Sequence, residues 1–464
     1  MKNKNEIEKI FCSYDIRGKY PEEINEEIVF EIGRAWAKIL KKSKEVRKNV
    51  LKNHGAVAVA RDMRKGSAQL ARALSCGLLS EGLAVDYLGM ASSPMLYWSV
   101  FKKEYLAGAV ITASHNPRGF NGIKFCLNGG EIDIEAIWEI VKKERKNKTA
   151  NFLNEKKVFQ NNLYRKSYIE QYINFIRSFY AKNGRHLKIV IDAAWGMASE
   201  EIPFIFNGLN IDFIPICFGP SENFSDKNIN PLNKSALDDL SFMVKKYKAD
   251  LGVAFDGDAD RVVFVDEKGD MINPEIITAI LSRSILEKNP EAKIVLDIRS
   301  GKTAHQAIKN FGGKVIVSKS GHTNIKRVMR EKSADFSAET SGHYFFKDAY
   351  RCDNAMIAML KVLNIAAASS RPISEICQEL KAVEKISEIN FEFSDSSFDV
   401  KKRLKKVEAE FKKNYKRAKI NWLDGLTMES GEWRFNLRSS NTETGVLRLN
   451  LEAQNRLILK EILG

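Results

Sequence analysis

Ala56-Val57-Ala58-Val59-Ala60-Arg61-Asp62 is an apolar run closed by an aspartate, and the pattern it begins decides the fold. A helix is expected through Leu70–Leu79, then Gly82, then a second apolar run at Ala84-Val85-Asp86-Tyr87-Leu88. The same succession returns at Leu187–Ile191 with Asp192, a helix around Glu200–Phe206, Gly208 and Ile211–Ile216. It returns once more at Lys293–Leu296 with Asp297, a helix near Thr303–Asn310, Gly312-Gly313 and Lys314–Val317. Each stretch reads as a βαβ unit, because near-continuous Val/Ile runs belong to strands buried on both faces. Successive aspartates lie 130 and 105 residues apart, too far for a solenoid. Three consecutive α/β domains are the expectation.

After Pro372 the texture changes. Phe391-Glu392-Phe393 reads as a strand piece, Ser394–Ser397 as a loop, and Val400–Phe411 as a charged amphipathic helix. Trp433–Leu437 and Val446–Leu451 alternate as antiparallel strands do. The expected fold is α/β: three α/β domains with mixed sheets and a smaller C-terminal α+β domain, around a central cleft. The predicted borders are 1–160, 161–270, 271–371 and 372–464, a division that 464 residues easily support.

Composition excludes several classes. No segment reaches the ~18 apolar residues of a membrane span. The start, Met1 to Glu8, has no apolar stretch of the kind a signal peptide needs. Six cysteines without C-x-x-C spacing suit reduced thiols in a cytoplasmic protein better than disulfides or a zinc site. The net charge of +15 is spread over runs such as Lys38–Lys52, Lys142–Lys148 and Lys401–Arg417, where glutamates intervene and aromatics are not interleaved. That pattern fits solvated helix faces and a preference for anionic substrates; no nucleic acid and no membrane partner are expected. An oligomeric partner is not readable.

Two loops carry the chemistry. Leu106–Ile111 reads as a buried strand that empties into Thr112-Ala113-Ser114-His115-Asn116-Pro117. Pro117 biases Asn116 toward an extended backbone. Gly119 and Gly122 permit a tight return into Ile123–Leu127, and Asn128-Gly129-Gly130 then turns. Ser114 is thereby held as a candidate nucleophile. His115 could move its proton, and Lys124 could face a charged group on the serine. The second loop, Asp256-Gly257-Asp258-Ala259-Asp260-Arg261, lies between strand-like Leu251–Phe255 and Val262–Val265. In an extended loop alternate side chains share a face, so three carboxylates could converge on one divalent cation. Arg261 stands where an EF-hand needs glycine, and room for a phosphate oxygen suits Mg²⁺. A phosphoserine brought to within ~6 Å of a second phosphate meets repulsion on the order of 10 kcal/mol at an effective dielectric of ~20. A cation on the aspartates, with Arg261 and Lys124, would cancel it.

Two more polar clusters stand apart. In Ala338-Glu339-Thr340-Ser341-Gly342-His343, Glu339 and Ser341 alternate, and a carboxylate beside a hydroxyl suits vicinal sugar hydroxyls; an ordinary loop has the same composition. Arg438-Ser439-Ser440-Asn441-Thr442-Glu443-Thr444-Gly445 offers a guanidinium, hydroxyls and an amide, the parts of either a phosphate cradle or a polar hairpin loop.

These four loops, in this order, resemble the α-D-phosphohexomutase family, especially its phosphomannomutase/phosphoglucomutase branch. T-A-S-H-N-P is similar to the family's phosphoserine loop, D-G-D-A-D-R to its metal loop, E-T-S-G-H to its sugar loop and R-S-S-N-T-E to its phosphate loop. The resemblance spans essentially the whole chain. It implies a phosphohexomutase that interconverts hexose 1-phosphate and hexose 6-phosphate through a phosphoserine and a bisphosphorylated sugar. One Mg²⁺ per chain would be held by Ser114, Asp256, Asp258 and Asp260, with glucose 1,6-bisphosphate or a similar bisphosphate as activator. Glu339, Ser341 and His343 would grip the sugar, and Arg438, Ser440, Asn441 and Thr442 the distal phosphate. Tyr14-Asp15-Ile16-Arg17-Gly18 resembles the N-terminal motif, which sets Tyr14 in the substrate site and Arg17 beside the reacting hydroxyl. Lys319-Ser320-Gly321-His322-Thr323 resembles a further cleft loop, with His322 as a candidate sugar contact or proton carrier, and Arg299 falls where relatives often carry a basic residue.

Three departures from the family's pattern stand out: Ala338 for its usual glycine, Thr444 for its usual proline, and the pair Asp353-Asn354. Ser440-Asn441-Thr442 and Thr112 favour mannose and glucose phosphates over the alternative, glucosamine phosphate. A metal-dependent sugar phosphatase, with water as acceptor, is the other enzyme class compatible with these loops.

Overall fold

Each of the three repeated aspartates turns its chain in the same way. Asp62 Oδ1 accepts from the amide of Arg64 at 2.9 Å, Asp192 Oδ1 from Ala194 at 2.8 Å, and Asp297 Oδ1 from Arg299 at 2.6 Å. A carboxylate bonded to the amide two residues on makes a side-chain turn, which ends a strand and frees the following residues to form a loop. The aspartate in the repeat is thus a strand terminator.

The structure is a computed structural model that describes residues 7–42, 55–128, 132–146, 164–222, 229–381, 383–386, 388–393, 399–440 and 445–463. The chain divides into two units, Met1–Met271 with Cys352–Ile373, and Ile272–Arg351 with Ser374–Gly464. In the first unit, β1 (Ile16–Lys19), α1 (Glu26–Lys42), β2 (Val57–Arg61), α2 (Ser67–Ser80), β3 (Val85–Met90), α3 (Ser93–Lys102), β4 (Ala107–Ile111), β5 (Phe120–Leu127), α4 (Ile134–Lys146) and β6 (Tyr164–Arg165) come first. Their sheet runs β1-β5-β4-β2-β3-β6. β2 lies between parallel neighbours β3 and β4, and β5 is antiparallel to both β4 and β1. Parallel pairing on both sides with helices on the faces explains the unbroken Val/Ala run of β2.

The first unit continues with α5 (Ile169–Arg177), β7 (Leu187–Asp192), α6 (Ala198–Phe206), β8 (Ile211–Ile216), α7 (Asp238–Tyr247), β9 (Leu251–Phe255), β10 (Val262–Asp266) and β11 (Met271–Ile272). Here the order is β11-β10-β9-β7-β8, with β7 parallel to β8 and β9, and β10 antiparallel to β9.

The second unit opens with α8 (Pro274–Lys288), β12 (Lys293–Asp297), α9 (Lys302–Asn310), β13 (Lys314–Ser318), α10 (His322–Glu331), β14 (Phe336–Ala338) and β15 (Tyr344–Phe346). β12 is parallel to β13 and β14, and β14 is antiparallel to β15. The chain returns to the first unit for β16 (Cys352–Asp353) and α11 (Ala355–Ala368). Asn354 caps that helix through the amide of Ile357 at 3.0 Å and donates to the Tyr172 hydroxyl at 3.1 Å.

A meander of antiparallel strands then builds the last domain of the second unit: β17 (Glu384–Lys385), β18 (Ile389–Glu392), α12 (Val400–Asn414), β19 (Lys419–Asn421), β20 (Leu426–Glu429), β21 (Trp433–Ser439), β22 (Val446–Ala453) and α13 (Arg456–Leu463). Helix α12 turns Leu404, Val407 and Phe411 inward, and the Phe411 ring packs 5.0 Å from Phe435 and 5.9 Å from Trp433. The architecture is three α/β domains with mixed sheets and a fourth, β-rich C-terminal domain, as the repeats suggested.

Local details differ from the sequence reading. β5 begins at Phe120, so Gly122 is a strand residue opposite Arg17 and not part of a return loop. The pairing with β1, a strand too short to announce itself, extends the ladder. The turn at Asn128-Gly129-Gly130 falls partly, and the loop at Ser394–Ser397 wholly, outside the described residues, as do parts of the basic runs at 38–52 and 142–148. Among the described residues, no helix is long and apolar enough to cross a membrane.

Candidate active site

β4 ends at Ile111, and the chain enters the serine loop with Thr112 Oγ1 accepting from the amide of Ser114 at 2.9 Å. The amide of Asn116 bonds the Ala113 carbonyl at 2.9 Å. Between these anchors Ser114 is buried and left-handed, with φ of 53°. A non-glycine residue holds that conformation only where its surroundings require it. The Ser114 hydroxyl donates to Asp256 Oδ2 at 2.8 Å and lies 3.3 Å from His115 Nδ1. Enclosure, then the cations Arg261, Arg17 and Lys124, hold the half-buried His115 well below the ordinary imidazole range. It is a neutral imidazole at pH 7, able to accept a proton.

The carboxylate loop closes the hairpin of β9 and β10, whose register pairs Phe255 with Val262 and leaves 256–261 as the turn. Ala259 is left-handed, with φ of 59°, and its amide bonds the Asp256 carbonyl. The three carboxylates converge through this turn, not through the extended alternation expected from the sequence. Their oxygens lie within 4.8 Å of one another, and all three residues are buried. Burial first, then Asp260 and Asp258, push the Asp256 carboxyl up to about 7.

Lys124, on β5, places its ammonium 2.6 Å from Asp258 Oδ2 and in contact with Asp260 Oδ2. Burial opposes the lysine's charge, but the two aspartates override it and raise its pKa. Asp258 Oδ1 is buried with no hydrogen-bond partner among the described residues. Three hard oxygen donors that repel one another, one of them unsatisfied, are a donor set that fits a divalent cation. Arg261 closes the loop through its amide, 3.2 Å from Asp256 Oδ1.

Arg17 pairs with Asp15 at 2.7 Å and bonds the Asn116 side chain and, at 3.4 Å, the Ala113 carbonyl. It grips the serine loop from the β1 side. Tyr14 precedes this pair and is half-buried.

The second unit gathers a separate cluster. Glu339 and Ser341 do not alternate on an extended segment; the β14–β15 turn bends both toward His343. His343 Nδ1 lies 2.9 Å from Ser341 Oγ and 3.3 Å from Glu339 Oε2. Glu339 Oε1 accepts from the amide of Gly321 at 2.8 Å and pairs with Arg299 at 3.2 Å. Burial works against the Glu339 charge, yet His343, Arg299 and that amide hold its carboxyl below the usual range. Arg299 is also bound to Asp297 at 2.6 Å. His322 begins α10, directly after Gly321.

Arg438 is buried near the end of β21, and burial followed by the Arg299 charge lowers its pKa. Among the described residues its Nε has no hydrogen-bond partner. The amide of Ser440 pairs with Val446; Asn441 and Thr442 lie outside the described residues.

The sequence reading missed three contributors in the first unit. Ser93 donates to Asp258 Oδ2 at 2.5 Å, Asn116 contacts Arg17, and Arg64 bonds the serine loop. Ser93 and Asp258 are 165 positions apart, so no local signal could pair them. Arg64 carried a weak one: an arginine two residues after a strand-ending aspartate.

Residues 8–150 match "Phosphoglucomutase/phosphomannomutase, alpha/beta/alpha domain I", 166–269 match its domain II and 273–383 its domain III. The chain is 33% identical to a phosphomannomutase of Escherichia coli K12, covering 98% of this chain and 97% of that one. It is 32% identical to a phosphomannomutase of Methanocaldococcus jannaschii, with 97% and 95% covered. A crystal structure of a phosphoglucomutase/phosphomannomutase family protein from Burkholderia thailandensis superposes with a TM-score of 0.84 at 28% identity, over 98% of this chain and 95% of that one.

Proposed function

The chain belongs to the phosphoglucomutase/phosphomannomutase family of α-D-phosphohexomutases, and on that premise we propose that Ser114 is its phosphoryl carrier. It is a phosphohexomutase, an intramolecular phosphotransferase that interconverts hexose 1-phosphate and hexose 6-phosphate. The observation that carries the assignment of Ser114 is its hydroxyl, 2.8 Å from Asp256 in a buried, left-handed loop against three carboxylates.

With Ser114 phosphorylated, a free hydroxyl of the bound sugar attacks the phosphorus and the serine oxygen leaves. The sugar's proton passes through a base, for which neutral His115 is our assignment, to the departing serine oxygen. The bisphosphate turns over, and its other phosphate is transferred to the Ser114 oxygen, whose proton passes by the same route to the sugar oxygen set free. Asp256, Asp258 and Asp260, with an oxygen on Ser114, would hold Mg²⁺, which supplies positive charge to the phosphate in transfer. Arg17, Lys124 and Arg261 add fixed positive charge, and glucose 1,6-bisphosphate or a similar compound primes the serine.

To the second unit we assign recognition: Glu339, Ser341, His343, His322 and Arg299 for sugar hydroxyls, and Arg438, Ser440, Asn441 and Thr442 for the distal phosphate. The Nε of Arg438, buried and without a hydrogen-bond partner among the described residues, supports that role. Tyr14 is assigned to the substrate's edge. We keep the domain borders at 160/161, 270/271 and 371/372, with mannose and glucose phosphates as substrates. The six cysteines, none in a disulfide, suit the cytoplasm.

The test is turnover of mannose, glucose and glucosamine phosphates side by side, with Mg²⁺ and a trace of glucose 1,6-bisphosphate. Mannose and glucose phosphates should isomerise without net phosphate release, and stripping the metal with EDTA should abolish the reaction. Release of free phosphate at the rate of substrate loss would make the protein a phosphatase. A preference for glucosamine phosphate by more than about tenfold would overturn the substrate assignment.

A further inference from the structure

The carbonyl groups of the serine loop turn inward, onto one side chain. Arg64 Nη2 donates to the carbonyls of Ser114 and Asn116, each at 2.7 Å. Its Nη1 donates to those of Pro117 and Phe120, each at 3.1 Å. Only a planar guanidinium presents enough donors, in a fixed fork, to serve four acceptors at once; an ammonium is a point charge.

The fork is itself held. The Arg64 amide bonds Asp62 Oδ1 at 2.9 Å, and Arg64 Nε lies 3.3 Å from Asp62 Oδ2. Ser67 Oγ donates to the same carboxylate at 2.6 Å, and Asn121 Nδ2 reaches Ser67 Oγ at 3.0 Å. Asp62 is the strand-ending aspartate of the first repeat, so the anchor is built into the sheet. On its other side the Ser114 carbonyl meets Gly257, where a side-chain carbon would stand 2.7 Å from the carbonyl oxygen. That carbonyl is confined between Arg64 and the metal loop, which over-determines the left-handed backbone of Ser114.

We propose that Arg64 is the positioning residue that fixes Ser114 for phosphoryl transfer, acting on the transfer step and not on substrate affinity. This rests on the reading of Ser114 as the phosphoryl carrier. Arg64 sits behind the loop and touches carbonyls, not the hydroxyl. Losing the fork would let Ser114 relax toward ordinary backbone angles and swing its oxygen off line. Misplacement by about 1 Å costs a transfer reaction on the order of 100-fold.

The test is Arg64→Lys, which keeps the charge and most of the volume but removes the fork. The rate of phosphoryl transfer from labelled enzyme to hexose phosphate, KM, and the melting temperature are read together, with wild type and Ser114→Ala alongside. The expected result is a fall in transfer rate on the order of 100-fold with KM unchanged. A brace for the fold alone would lower the melting temperature and leave the rate of the folded fraction intact; that outcome, or a wild-type rate, overturns the proposal. Should Arg64→Lys fail to fold, Ser67→Ala loosens the same anchor and should lower the rate, again at constant KM; an unchanged rate counts equally against it. Wild type that carries no label on Ser114 would instead sink the reading on which the proposal rests.

Discussion

Glu201 carries a carboxyl group into the interior of the first unit, where it is 1% exposed. Neither oxygen accepts a well-formed hydrogen bond, and burial, opposed in part by Ser92, pushes the group up to about 8. The folded protein therefore keeps this proton between about pH 4.5 and 8, while the unfolded chain releases it. Stability from this group is complete below the lower value and falls by up to ~1.4 kcal/mol per pH unit until the upper one. Glu201→Gln removes that slope. Its melting temperature relative to wild type should climb from pH 5 to pH 8 and level off above; parallel curves would show that the carboxyl is not held protonated. Ser114 and the three aspartates were legible in the sequence, because short loops of distinctive chemistry stay together. Glu201, Ser93 and Arg64 were not, since their meaning lies in partners distant along the chain.

At the scale of elements, the three aspartate turns explain why the repeats could be read at all. An unbroken apolar run, a carboxylate that closes it and a helix of modest length are local facts, and local facts survive in sequence. Strands β1, β6, β19 and β20 were invisible, for two to four residues carry no period. The β9–β10 hairpin makes a sharper point: its three carboxylates converge, but through a turn with left-handed Ala259, which no alternation rule describes. Gly257 in that turn faces the Ser114 carbonyl, and Gly196 in turn packs on the Gly257 backbone. Gly257→Ala should displace the serine loop and slow isomerisation on the order of 100-fold, with the melting temperature lowered modestly and KM retained. Activity equal to wild type would mean that the loops give way without consequence for transfer.

At the scale of the whole molecule, three α/β domains and a β-rich fourth form one chain whose chemistry-bearing loops follow the strand ends. The serine and carboxylate loops belong to the first unit, and the loops that begin at Ala338 and Arg438 to the second. Order along the chain was legible because each loop is contiguous; around the serine, Arg17, Lys124 and Asp256 were expected, whereas Arg64 and Ser93 were not, because their partners are distant along the chain. The measurement that tests the central claim most directly is the site of phosphorylation. Purified protein would be exposed to labelled glucose 1,6-bisphosphate with Mg²⁺, digested, and its labelled peptide sequenced. The expected result is label on Ser114 alone, discharged by mannose 6-phosphate or glucose 6-phosphate and absent from Ser114→Ala. Isomerisation at full rate by Ser114→Ala, or label at another residue, would contradict it.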